Sequence, residues 1–70
     1  MNELWKVQKG TLAGYTEDRD LIRRIKRSQK QWYVSAEYFK HGKLFALQYR
    51  IPMADRRMAE RQFGVKIQAN

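Results

Sequence analysis

A chain of 70 residues has room for one core and no second domain, and when folded it hides only roughly 60% of the surface that it exposes unfolded. The apolar share of 43% with nine aromatics predicts a single folded domain over 1–70, and the lack of cysteine excludes disulfides, thiolate zinc sites and cysteine nucleophiles. Fifteen Lys and Arg against seven Asp and Glu give a net charge of +8, an excess beyond what solubility needs, whose field attracts polyanions.

Residues 3–9 alternate, with Leu4, Lys6 and Gln8 on one side and Trp5, Val7 and Lys9 on the other, which predicts a short strand. Residues 10–15 contain Gly10 and Gly14 and read as a loop. Thr16 then offers its hydroxyl to the free amides of a helix over 17–28. Glu17, Asp18 and Asp20 stand where the helix dipole favours negative charge, Arg24, Lys26 and Arg27 where it favours positive, and Leu21, Ile22 and Ile25 form one apolar stripe.

Two alternating segments over 31–51 flank His41-Gly42, a two-residue loop able to supply the positive φ angles of a tight hairpin. In the register this turn sets, Tyr38 faces Phe45, Ala36 faces Leu47, Val34 faces Tyr49 and Trp32 faces Ile51, all on one apolar side. The other side pairs Phe39 with Leu44, Glu37 with Ala46, Ser35 with Gln48 and Tyr33 with Arg50. The expected core is therefore Trp32, Val34, Tyr38, Phe45, Leu47 and Tyr49, with Leu21, Ile22 and Ile25 packed on it. Pro52 suits the start of a second helix over 53–63, Gly64 its left-handed cap, and Val65 a fold-back onto the last turn. Residues 65–67 alternate as a final short strand, and no internal repeat shows. The resulting β-α-β-β-α-(β) order predicts a small two-layer α+β domain with a central antiparallel hairpin, ferredoxin-like if 65–67 supplies the fourth strand.

Little in the chain points to catalysis. His41 is the only histidine and its place in the turn accounts for it, since His tolerates positive φ. Glu17, Asp18 and Asp20 complement a helix dipole more simply than they bind magnesium. With no phosphate loop, nucleophile elbow or paired metal motif, no enzymatic activity, cofactor or metal is expected. Residues 1–6 offer no apolar run for an export signal and nowhere do 18 apolar residues follow one another, so no membrane association is expected. A disulfide-free domain this small points to the cytoplasm.

The basic residues carry the functional signal. Arg19, Arg23, Arg24, Lys26, Arg27 and Lys30 spread over the side of the first helix away from its apolar stripe, and several are like-charge pairs four apart, a repulsion that a polyanion would relieve. Arg57 and Arg61 repeat that spacing in the second helix, where Arg56 has Glu60 as a partner four residues on. Eight of the fifteen cations are arginine, whose fork matches phosphate. On the polar side of the hairpin, Tyr33 and Phe39 beside Lys43 and Arg50 are able to stack unpaired bases, as open sheets of RNA-recognition modules do. That likeness is architectural, because the aromatic signature of those modules is absent. Phe39 with Leu44 equally suits a contact between two copies in a homodimer. The expected function is non-enzymatic nucleic-acid binding (DNA or RNA) or regulation. Phosphates would be held by helix 17–28, with Arg50, Arg57 and Arg61 as secondary contacts; the alternative is a protein-interaction module docking on an acidic partner protein.

Overall fold

Two tight turns organise the sheet. Gly10 (φ 82°) closes the first, and His41 (φ 53°) with Gly42 (φ 77°) closes the second, all in the left-handed region that a two-residue hairpin loop demands. The computed structural model describes residues 1–29 and 31–68. Its elements follow in the order β1 (Asn2–Gln8), β2 (Thr11–Thr16), α1 (Arg19–Ser28), β3 (Tyr33–Lys40), β4 (Lys43–Pro52) and α2 (Arg56–Phe63), with a 3-10 turn, Met53–Asp55, leading into α2. The sheet is antiparallel throughout, in the order β1-β2-β4-β3. The chain is thus two hairpin-plus-helix units, β1-β2-α1 and β3-β4-α2, joined through β2 and β4. No repeat in the sequence announced this.

The α+β class and the central antiparallel hairpin stand as expected, but the element order gains a strand. Residues 10–15, expected as a loop, lie mostly in β2, one of the two central strands, with Leu12 and Ala13 fully buried. Gly14 is there for packing and not for a turn: a Cβ on it would lie 2.6 Å from Phe63 Cζ and 3.0 Å from Ile51 Cδ1. From β2 to α2 the element order is β-α-β-β-α, and β1 holds the edge position beside β2. Residues 65–67 form no strand. Val65 and Ile67 pack on the core, and Gln68 makes one parallel bridge to Trp5, its N–H donating to the Leu4 carbonyl at 2.8 Å.

The first helix starts at Arg19, later than 17, because Asp18 and not Thr16 caps it: the Asp18 carboxylate accepts from the amides of Asp20 (2.9 Å) and Leu21 (3.3 Å). Thr16 is fully buried, donates to Asn2 Oδ1 at 2.6 Å and accepts from the Asp18 amide at 2.9 Å, so it ties β1 to the helix entrance. One cluster holds Leu4, Leu12, Leu21, Ile25, Trp32, Leu47, Tyr49, Ile51, Ala59 and Phe63, which places both helices on the same face of the sheet. Trp32 Nε1 donates to Asp55 Oδ2 at 2.8 Å, satisfying the indole as it enters the core.

The hairpin register is right at both ends and wrong in the middle. Tyr33 pairs with Arg50, Val34 with Tyr49 and Phe39 with Leu44 as expected, but Ala36 pairs with Gln48, Glu37 with Leu47 and Tyr38 with Ala46. Ser35 is an extra residue on β3 and Phe45 an extra residue on β4, two bulges that cancel each other. Between them the alternation of β3 is reversed. Tyr38, expected in the core, turns to the face away from the helices, where its ring meets Tyr15 at 5.7 Å; Glu37 and Phe39 move the other way. Val34 and Phe45 keep the helix side but are 43% and 42% exposed, each lining a cleft that opens against α1.

Gly14→Ala is expected to destabilise the fold by about 1–3 kcal/mol through overpacking against Phe63. Combining it with Phe63→Leu should cost less than the two single changes added together, as expected of side chains in direct contact. Urea unfolding of the parent, both single variants and the double measures this; strict additivity would mean that the ring does not rest on Gly14.

Candidate functional site

The cations expected to act together are divided by the fold between two opposite surfaces. Arg19, Arg23, Arg24, Lys26 and Arg27 are exposed on α1, and Arg57 and Arg61 on α2, all in the helix layer. Arg50 is on the far side of the sheet with Tyr33. Lys30 lies outside the described residues.

Burial of Leu21 and Ile25 fixes where the α1 side chains go. Arg24 reaches across to α2, its Nε donating to Gln62 Oε1 at 3.3 Å. Arg19 turns toward the hairpin, a guanidinium nitrogen 3.5 Å from the Leu44 carbonyl. Lys26 stands at the rim of an apolar cleft between α1 and β3, and Arg27 is exposed. Arg23 is ion-paired with Asp20 one turn back, a partner that the sequence reading did not assign to it. On α2, Arg57 and Arg61 line an open groove of about 480 Å³ with Lys66 and Glu60. Glu60 does not neutralise Arg56 as expected, because its carboxylate accepts from the Ile67 amide at 3.1 Å. Among the described residues the ion pairs are Arg23 with Asp20 and the N-terminal amine with Glu17. The remaining helix cations form no ion pair among the described residues, although the Glu60 carboxylate shares the groove of Arg57 and Arg61.

The outer face of the sheet is covered by neither helix, yet it is not the polar surface usual for the solvated side of such a sheet. Strand pairing sets Trp5, Ala13, Arg50 and Tyr33 in one row across all four strands, and Glu3, Tyr15, Gln48 and Ala36 in the next, with Tyr38 and Ala46 beyond. Tyr33 is 63% exposed. Ala13 and Ala46 are fully buried beneath the larger side chains around them. Nη1 of Arg50 is buried and has no hydrogen-bond partner among the described residues. A hollow of about 190 Å³ adjoins it, lined by Gly10, Thr11, Gln31, Tyr33, Arg50 and Pro52 among others.

Phe39 does not share this surface. The bulge at Ser35 turns it to the helix side, and the bulge at Phe45 keeps Leu44 opposite it, so the two residues expected to stack bases together are on different faces. Tyr38 stands on the outer face in place of Phe39, two rows from Tyr33. Trp5, Tyr15 and Tyr38 were missed, and the signal for Tyr15 was present: once residues 11–16 are a strand, Thr11, Ala13 and Tyr15 alternate against Leu12, Gly14 and Thr16.

Polar contacts hold the rest of the face in order. Tyr38 donates to Gln48 Oε1 at 3.1 Å and Gln48 Nε2 is 3.4 Å from Ser35 Oγ, while Tyr15 donates to Glu17 Oε2 at 2.8 Å. Partial burial, reinforced by Glu17, pushes the Tyr15 hydroxyl above its ordinary pKa. The Tyr15 hydrogen bond, helped by the N-terminal amine, holds the Glu17 carboxyl below its ordinary value. The acidic trio over 17–20 is fully employed, Glu17 with Tyr15, Asp18 as helix cap and Asp20 with Arg23. Among the described residues no three His, Asp or Glu side chains come together as a metal site. Nor, among them, is any helix long and apolar enough to cross a membrane. Compared with protein-family models, with curated proteins and with solved structures, the chain finds no match.

A depressed carboxyl pKa contributes stability above the ordinary carboxylate value and loses it as pH falls through the lowered folded value. Tyr15→Phe removes the main cause, so the Glu17 midpoint should move up toward that of a free glutamate. A pH titration of the Glu17 carboxyl carbon by NMR reads this directly, and an unmoved midpoint would show that the Tyr15 bond is not formed in solution.

Proposed function

We propose that this is a small, non-enzymatic nucleic-acid-binding protein that holds phosphates through its helix layer. What carries the reading is that Arg24, Lys26, Arg27, Arg57 and Arg61 project from two helices on the same side of the sheet with no ion-pair partner among the described residues. With seven acids against fifteen cations the excess has no acid to pair with, and the fold gathers much of it on this one side of the sheet. Left free, they attract a polyanion and release its counterions on contact, which gives affinity that carries little sequence information.

A second reading, docking on an acidic protein, has an observation of its own. The free edge of β3 runs beside the cleft of about 450 Å³ between it and α1, whose floor is Ile22, Ile25, Trp32, Val34 and Leu47 and whose rim carries Lys26. An added strand alternating acidic and apolar residues would fit that edge. A synthetic peptide alternating Glu and Leu should then protect the β3 amides from hydrogen exchange; unchanged exchange at saturating peptide would remove this reading.

For the first reading, the parent is expected to bind an oligonucleotide at about 50 mM salt, with log affinity falling linearly against log salt. Replacing Arg24, Arg27, Arg57 and Arg61 by Gln should flatten that slope by about 0.9 for each lost contact on duplex DNA, or about 0.7 on a single strand, with the fold intact. No binding by the parent at that salt would sink the proposal. An unchanged slope would take the phosphates away from the helix layer.

A further inference from the structure

We propose that the outer face of the sheet is a second binding surface, one that takes the unpaired bases of a single-stranded polynucleotide across the row of Trp5, Arg50 and Tyr33. The inference rests on the nucleic-acid reading above and adds what the helix layer cannot supply, a preference for bases that are not already stacked.

Three observations converge there. No described element covers the face, yet it carries four of the nine aromatic side chains of the chain, Trp5, Tyr15, Tyr33 and Tyr38, over a bed of Ala13, Ala36 and Ala46. Small residues between large rings leave the rings standing above the sheet, the relief that a flat base needs in order to stack. Next, Tyr15 and Tyr38 spend their hydroxyls on Glu17 and Gln48, whereas Tyr33 is 63% exposed and has no hydrogen bond among the described residues. Finally, Arg50 is directly opposite Tyr33 on the neighbouring strand, with Nη1 unpartnered among the described residues. The guanidinium lines the hollow of about 190 Å³ beside Tyr33, where a base carbonyl, a ring nitrogen or a phosphate oxygen is an acceptor for its N–H groups.

Charge selects among the possible occupants. The row of Trp5, Ala13, Arg50 and Tyr33 contains a cation and no acid, and Lys9 stands at the adjoining turn. Glu3 and Glu17 belong to the Tyr15 side, and Glu17 is already engaged by Tyr15 and the N-terminal amine. A second copy of this chain would bring another +8 and another unsatisfied arginine against the first; a polynucleotide brings acceptors, negative charge and flat faces together. Duplex DNA offers its charge but keeps its bases stacked inside, so it can use the helix layer and not this row.

The test compares a single-stranded oligonucleotide, as DNA and as RNA, with a duplex of the same length, using fluorescence anisotropy on the parent, Tyr33→Ala, Arg50→Lys and the Arg24/Arg27/Arg57/Arg61→Gln variant, each first shown to be folded by its thermal melt. The parent should prefer a single strand of at least one type. Tyr33→Ala should weaken that binding roughly 5- to 150-fold with little change in salt slope, while leaving duplex binding as it was. Arg50→Lys keeps the charge but loses the planar fork, and should weaken the single strand alone. Should both variants bind single strands like the parent while the helix-layer variant fails, the sheet face is not the surface and this inference falls, with the phosphate reading left standing. A parent that prefers duplex overturns it in the same way. If the parent binds no oligonucleotide at all, both readings fall together. Sedimentation closes the remaining alternative, because a dimer that persists with oligonucleotide in excess would mean that a second copy covers the face.

Discussion

The fold depends on one contact, the Phe63 ring lying on the bare backbone of Gly14. It brings the last residue of α2 down on a central strand of the other hairpin unit, so the helix of one half is seated on the sheet of the other. Nothing larger than hydrogen at residue 14 leaves room for the ring, which shares the core cluster with Ile51 and stands near Trp32, with centroids 6.4 Å apart. In a domain this small, where a single large side chain is a sizeable share of the core, losing that seat would loosen both units at once. It also decides which side of the sheet is buried, and therefore which side is left to meet a partner.

Much of this was legible in the sequence. The His41-Gly42 turn, the stripe of Leu21 and Ile25, and the cap at Gly64 are each fixed by local chemistry, and they appear where local chemistry puts them. β2 was hidden by the same glycine that makes it possible. In isolation a glycine inside a short alternating run reads as a break, and only the position of Phe63, some fifty residues away, turns it into a packing requirement. The start of α1 was ambiguous for a different reason: Thr16 and Asp18 are both good capping residues, and the choice rests on Asn2, which claims the Thr16 hydroxyl from a neighbouring strand.

The candidate site divides along similar lines. Tyr33 beside Arg50 follows from the turn alone, because the register near the strand ends is undisturbed. Phe39 and Tyr38 were interchanged because the two bulges, at Ser35 and Phe45, compensate: the strand pairs outside the segment between them are unchanged, and alternation rules see only an unbroken pattern. Charges were easier to count than to place. Composition announces a basic protein, but the division of its arginines between a helix layer and the opposite sheet face is a matter of topology. Two surfaces of different character follow from it, one acting at a distance and weakened by salt, the other acting only on contact.

The joining of two hairpin-plus-helix units through β2 and β4 has a consequence for how the molecule assembles. An isologous pair of separate hairpin-plus-helix chains would present the same sheet order, with its middle two strands at the dimer interface. Here the stretch between α1 and β3 makes that association intramolecular, so the central pairing forms without dependence on protein concentration. Covalent linkage also frees the halves from symmetry. One half could give up a side chain at residue 14 while the other grew a phenylalanine to fill the gap, a division of labour unavailable to identical subunits.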